Sequence, residues 1–275
     1  MKALFPLLCF TAFLACLIPS TYSDEIDDFV TKLKSDDKNE RYKAVTALGK
    51  SKDPRAIELL ISCLRDKNPH VSELAGRALA ELKNPLAVEP LIACLKADEA
   101  SARMNAAFAL RGLKDERSVE PLIACLKDKD RNVRWRVIWA LQELNKPIAV
   151  EPLIACLKDE VPVVRQATVT ALGSLKDPRS VEPLIACLKD EDYNVRRNAS
   201  LALGRLKDTR AVESLIAALQ DAKPQVRTAA ARTLGSLNDK RATEPLKALL
   251  NDESPDVKGA AQEALSKLGN SGDSK

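Results

Sequence analysis

The sequence predicts an all-α solenoid of about eight helical hairpins with a period of 31 residues. Cys63, Cys94, Cys125, Cys156 and Cys187 stand 31 residues apart, each inside LISCL or LIACL. Pro90, Pro121, Pro152, Pro183 and Pro245 share another slot of the same frame, which Leu59 and Ser214 leave. Charged residues reach 30% while aromatics are 4%, as expected of many solvated helix surfaces over an aliphatic core. A unit this short buries its apolar face only against its neighbours, so the array grows as a solenoid rather than around one central core.

The first 23 residues stand outside the repeat. Lys2 precedes an uncharged, mostly apolar run from Ala3 to Ile18, Pro19 breaks it, and small polar residues lead to Asp24. This pattern reads as a signal peptide with Thr21 and Ser23 before the cleavage point, and so as export to the periplasm or beyond. A lipoprotein attached through Cys16 is the alternative; Phe13 stands where a lipobox normally has Leu. The run is too short for a membrane span, which takes roughly 20 residues.

The unit from Asp115 to Asn145 shows how each hairpin is built. Val119, Leu122, Ile123 and Leu126 fall at i, i+3, i+4 and i+7, one apolar stripe of a first helix, A. Ser118 reads as its N-cap, which leaves Pro121 in the first turn, where a missing N–H costs nothing. Asp128 to Asn132 form a polar turn. A second helix, B, follows with Val133, Val137, Ala140, Leu141 and Leu144 on one side. The same frame starts helix B at Glu40, Val71, Ala102, Val133, Val164, Val195, Val226 and Val257. Pro69, Pro224 and Pro255 suit its first residue. The first and last hairpins read as caps, with Asp28 and Lys32 in one and Lys247, Lys258, Gln262, Glu263 and Lys267 in the other. A solenoid has to cover its end cores with polar faces. The expected organisation is a leader over 1–23, a solenoid over 24–269 and a disordered tail over 270–275.

The phrase from Asp177 to Asp208, DPRSVEPLIACLKD followed by VRRNASLALGRLKD, resembles the HEAT-like repeats first described in phycobilin lyases, and the resemblance runs from about residue 24 to 269. It implies a right-handed solenoid with helix B lining the concave surface. It implies no single function, because similar arrays act as scaffolds, inhibitors, lyase subunits and metal-dependent hydroxylases.

Catalytic constellations are missing from the sequence. The hydroxylases of this fold use several His–Glu pairs, whereas this chain has a single histidine, His70, in a turn. The cysteines lack CxxC spacing, and equivalent sites on stacked helices lie about 8–10 Å apart, too far for disulfides that need about 7 Å or less. They read as packing residues, a slot that Ala218 fills one period after Cys187. Gly173, Gly204 and Gly235 read as close-packing or capping positions. Arg41, Arg103, Arg134, Arg165, Arg196 and Arg227 recur early in helix B, and Asp66, Asp128, Asp159, Asp190, Asp221 and Asp252 recur before the inter-helix turn. Ser72 and Ala97 are the exceptions. The pattern reads as an Asp–Arg ladder between adjacent units, as the resemblance also implies. With 43 basic and 39 acidic residues the chain lacks the excess of a nucleic-acid clamp.

Counting helix B from its Val, the second and sixth following residues fall at about 200° and 240°, opposite the core, and are expected to be wet. In the fourth hairpin they are Trp135 and Trp139, in the third Met104 and Phe108, in the sixth Arg197 and Leu201, with Arg136 beside the Trp pair. Large apolar residues on a solvated face mark a binding patch. The expected function is therefore that of an exported, non-enzymatic scaffold. It is expected to act as a monomer without cofactor, metal or membrane span, and to bind a protein or peptide through Met104, Phe108, Trp135, Arg136, Trp139, Arg197 and Leu201. The alternative is a lyase-type or carrier protein in which the indoles stack on a tetrapyrrole or other flat apolar ligand.

Overall fold

A computed structural model describes residues 20–270, and side chains over 25–269, so residues 1–19 of the expected leader, Cys16 among them, and 271–275 of the expected tail lie outside the described residues, whereas residues 20–23 and Asn270 fall within helices. The chain divides into two compact units, Met1–Leu113 and Lys114–Lys275. Unit 1 holds α1 (Ser20–Leu33), α2 (Lys38–Leu48), α3 (Arg55–Cys63), α4 (Pro69–Leu82), α5 (Val88–Cys94) and α6 (Ala100–Leu113). Unit 2 holds α7 (Val119–Ala124), α8 (Arg131–Leu144), α9 (Val150–Cys156), α10 (Pro162–Leu175) and α11 (Val181–Ala186). It continues with α12 (Tyr193–Leu206), α13 (Val212–Ala218), α14 (Pro224–Leu237), α15 (Thr243–Ala248) and α16 (Pro255–Asn270). Odd-numbered helices are A and even-numbered are B, giving the eight expected hairpins among the described residues and an all-α solenoid fold. In each unit every B helix packs along the next, α2 on α4 on α6, and α8 on α10 through to α16, with the A helices set against their partners.

The B helices begin two residues ahead of the expected positions, at Lys38, Pro69 and so on every 31 residues to Pro255. A side-chain cap marks the start in α2, α4, α8 and α12, while α10 and α14 start at Pro162 and Pro224, residues suited to a first helical position, without one. Asp130 accepts the backbone N–H groups of Asn132 at 2.7 Å and Val133 at 3.3 Å, and Asn68 and Asp192 do the same in their hairpins. In the capped helices, helical geometry thus starts where an oxygen meets the orphan donors, before the first core residue. The A helices correct a second expectation. Ser118 does not cap α7; a 3-10 turn, Glu116–Ser118, precedes it, and Asp115 caps that turn by accepting from Arg117 N at 3.0 Å. Ser118 is fully buried instead, and its hydroxyl donates to the Asp115 carbonyl at 2.6 Å.

Five rungs of the Arg–Asp ladder form as read, one in unit 1 and four in unit 2. Arg165 donates from Nε and Nη2 to the two oxygens of Asp190 at 2.8 Å each, and from Nη1 to the carbonyls of Asp159 and Glu160. Arg41 with Asp66, Arg134 with Asp159, Arg196 with Asp221 and Arg227 with Asp252 repeat this two-pronged pairing over 25 residues. Each carboxylate also caps the next turn, as Asp190 does for the Asp192 amide at 2.9 Å. The two exceptions belong to one rung: Ser72 occupies the arginine slot and Ala97, 25 residues on, the aspartate slot, both buried. Losing both members leaves neither a guanidinium nor a carboxylate stranded in the core, which is the outcome that burial energetics favours.

Gly173 and Gly235 are close-packing positions and not caps. A Cβ on Gly173 would stand 2.6 Å from the Ala202 Cβ, and one on Gly235 would stand 2.6 Å from the Ala264 Cα, so consecutive B helices touch there. The left-handed residue that ends each of the six B helices α4 to α14 lies three positions later. It is Lys83, Lys114, Asn145, Lys176, Lys207 or Asn238, with φ between 48° and 55°.

Candidate binding face

Trp135 and Trp139 lie one turn apart on α8, so successive-turn geometry brings the rings together. Their centroids are 5.7 Å apart with planes at 53°, and the Arg136 guanidinium sits 5.2 Å from the Trp135 ring. This is a cation–π and tilted aromatic cluster on the side of α8 opposite its buried Val133, Val137, Ala140 and Leu141. The expectation that these positions are wet is corrected: both indoles are half-buried. Each ring covers the other, and Arg136 covers Trp135, so neither stands clear into solvent. The Trp139 Nε1–H is enclosed with no acceptor, a donor that normally costs about 1–3 kcal/mol when left unpaired.

On the same side of unit 2, α10 contributes Gln166 and Thr170, α12 Arg197 and Leu201, and α14 Thr228 and Arg232. Leu201 is 41% exposed, in agreement with its outward position. Arg197 is half-buried and donates to the neighbouring Asn198 Oδ1 at 3.2–3.3 Å. Met104 and Phe108 occupy the corresponding positions of α6 in unit 1, both half-buried, with the Arg111 guanidinium 5.6 Å from the Phe108 ring. The predicted set therefore divides into a unit 1 pair on α6 and a unit 2 group on α8 and α12.

Two sets of residues escaped sequence reasoning. Arg205, one turn beyond Leu201, is an exposed member of the B face, and extending the helical count by another turn would have found it. On the A side, Arg55, Arg117, Arg179, Arg210 and Arg241 each clasp the Asp two residues earlier. Leu86 and Ile148 replace that arginine and are 67% and 58% exposed. A shallow groove of about 540 Å³ lies beside Ile148, between Pro121, Arg117 and Lys146. A smaller hollow of about 340 Å³ opens where Ser214 and Ala218 replace the usual Pro and Cys.

The cysteines are free thiols, with Cys63, Cys94 and Cys187 buried and Cys125 and Cys156 half-buried. Burial pushes Cys63, Cys156 and Cys187 up to about 11, the direction that suppresses thiolate reactivity. Among the described residues no three His, Cys, Asp or Glu side chains gather in a metal-ligating group, and no helix is long and apolar enough to cross a membrane.

The family model for HEAT repeats matches residues 26–111, 88–173, 150–222 and 212–274. Among solved structures, the chain is similar to the YibA protein of Escherichia coli, at 21% identity over 92% of this chain and 98% of that one, with a TM-score of 0.66. It is also similar to human deoxyhypusine hydroxylase, at 21% identity over 91% and 98% of the two chains with a TM-score of 0.43. The CpcE–CpcF complex of phycocyanin lyase from Nostoc sp. shows 23% identity over 98% and 99%, with a TM-score of 0.46. At these identities the likeness is one of fold alone. No curated protein matches the chain.

Proposed function

Since the chain belongs to the HEAT repeat family, whose hairpins offer a ready-made row of B helices, we propose that it is a non-enzymatic scaffold. It binds a protein or peptide on the B-helix face of unit 2, and Met104 and Phe108 offer a second apolar contact on unit 1. The observation that carries this reading is the Trp135–Trp139–Arg136 cluster. In α10, α14 and α16 these outward slots hold Gln166, Thr170, Thr228, Arg232, Gly259 and Glu263, so two indoles with a stacked guanidinium stand out on the helix side away from Val133 and Val137. Trp and Arg are the residues most enriched at binding hot spots. Export belongs to the same reading, on the strength of Lys2, the apolar run and Ser23; the intact mass of protein secreted by its host then starts at or near Asp24, and a mass retaining residues 1–23 removes that part.

The test is recovery of the partner from the native envelope fraction by wild type and by Trp135→Ala/Trp139→Ala. The double variant should stay helical and lose the partner, because truncating a central hot-spot residue costs about 2 kcal/mol or more of binding. Arg136→Ala, which leaves both rings in place, should weaken the same interaction. Undiminished recovery by both variants overturns the reading. A visible pigment on the purified wild type, lost in the Trp variant, would replace it with carriage of a flat ligand.

A further inference from the structure

The arginines of this chain sort into two populations. Those of the ladder and of the A-side clasps end on carboxylates: Arg165 on Asp190, Arg196 on Asp221, Arg179 on Asp177 and Glu151. Three on the B face of unit 2 do not. Arg197 donates only to the side-chain oxygen of Asn198, and Arg205 reaches the Ser174 hydroxyl at 3.3 Å. Arg232 forms no ion pair, although its charge helps to lower Glu263 after the main effect of the Lys267 hydrogen bond. Counted along the helix, these residues fall between about 200° and 280° from the core Val, the sector that also holds Trp135, Trp139 and Leu201.

Building on the proposed scaffold role, we infer that the partner segment is an acidic peptide. It carries an aromatic or aliphatic anchor for the Trp135–Trp139–Arg136 cluster and carboxylates for Arg197, Arg205 and Arg232. Charge complementarity selects this occupant, because the guanidinium groups of the ladder and of the clasps are matched to carboxylates within the fold, whereas Arg197, Arg205 and Arg232 form no ion pair of their own among the described residues. The geometry sets the spacing. Neighbouring B helices lie about 8–10 Å apart, so α12 stands about 16–20 Å and α14 about 24–30 Å from α8. An extended chain advances about 3.3 Å per residue, which puts the acidic residues roughly five to nine positions from the anchor. Gln166 and Thr170 on the intervening α10 supply neutral polar groups beneath the crossing backbone. A nucleic acid fits less well, since exposed Leu201 interrupts the arginines and Glu143 and Glu263 share the face.

Display of random peptides of about 14 residues, long enough to cross four helices, tests this with the full chain. Wild type should enrich sequences with Asp or Glu at the stated distance from a Trp, Phe or Leu. The affinity of an enriched peptide should fall about tenfold or more in Arg197→Glu/Arg232→Glu and recover in Arg197→Lys/Arg232→Lys. The charge-reversed protein should itself enrich Lys and Arg. Circular dichroism of each variant checks that the exposed substitutions leave the helices intact. Neutral or basic enrichment, no enrichment, indifference to charge reversal, or tighter binding of oligothymidylate than of the best peptide overturns the inference. Loss of the native partner in Trp135→Ala/Trp139→Ala, but not in Arg197→Glu/Arg232→Glu, would leave the scaffold role standing and remove the acidic peptide; loss in neither removes both.

Discussion

Asp190 meets both prongs of the Arg165 guanidinium and caps the following turn, so its removal strands a charge that is almost completely enclosed. Asp190→Ala should cost about 3–5 kcal/mol in urea unfolding. Arg165→Ser/Asp190→Ala, which copies the natural Ser72–Ala97 rung, should cost much less than the sum of its single changes, with a coupling of at least about 1 kcal/mol. The rungs also set the acid response. A hydrogen bond from Arg227 holds Asp252 below the usual carboxylate range against the opposing effect of burial. At Asp221 burial pushes upward, but the Arg196 and Lys223 N–H bonds outweigh it. A carboxylate depressed in the folded state contributes stability above its unfolded value of about 3.9, and that contribution is lost as pH falls through the lower folded value. The melting temperature should therefore hold down to about pH 4 and drop below it, with a shallower acid limb in Asp252→Asn. Residue types at 25-residue spacing made the ladder legible in the sequence. The half-burial of the indoles was not, because helical angle says which way a side chain leaves the axis and nothing about the rings and guanidinium that then lie across it.

Among the elements, the B helices place the same amino acid under opposite constraints. Gly173→Ala would push its new methyl into Ala202 and should destabilise by about 1–3 kcal/mol through overpacking of α10 on α12. Gly259→Ala in α16, where nothing lies within 4 Å, should stabilise by about 0.5–1 kcal/mol, since only chain entropy changes. At the end of α10, Lys176 holds a φ of 54°, and Lys176→Gly should gain up to about 1 kcal/mol by removing the Cβ strain. Thermal or urea unfolding of the three variants checks the three signs. Helix number, order and period could be read from the repeat. The starts were displaced by two residues because apolar periodicity marks where a helix meets the core, whereas the caps at Asp130 and Asn68 mark where hydrogen bonding begins. Likewise the Ser118 hydroxyl resembled a cap in sequence and serves as an internal tie, since the 3-10 turn ahead of α7 had no apolar signature of its own.

For the whole molecule, stability in a stacked array is close to a sum of repeat and nearest-neighbour terms. Removing residues 177–207 takes out one complete period and brings Asp221 to the distance from Arg165 that Asp190 now holds. The shortened protein should fold with undiminished helicity per residue and unfold at lower urea concentration, with an m-value smaller by roughly a tenth. Circular dichroism across a urea series decides it: a molten or aggregated product would contradict the repeat-by-repeat account. The fold class was legible at this scale because period is a property of the entire chain, whereas a partner engages only one stretch of surface, and that surface is written in the departures from the repeat. The Ser72–Ala97 rung carries a consequence for inheritance. Slippage of 31 codons within uniform rungs regenerates an intact pair wherever the break falls, so such arrays can lengthen or shorten between generations without penalty. A deletion of residues 66–96 would instead bring Arg41 opposite Ala97 and leave a buried cation without its anion. Variation in repeat number should therefore accumulate among the uniform rungs and stall at this one, so that the mismatched pair acts as a genetic firebreak at one end of the array.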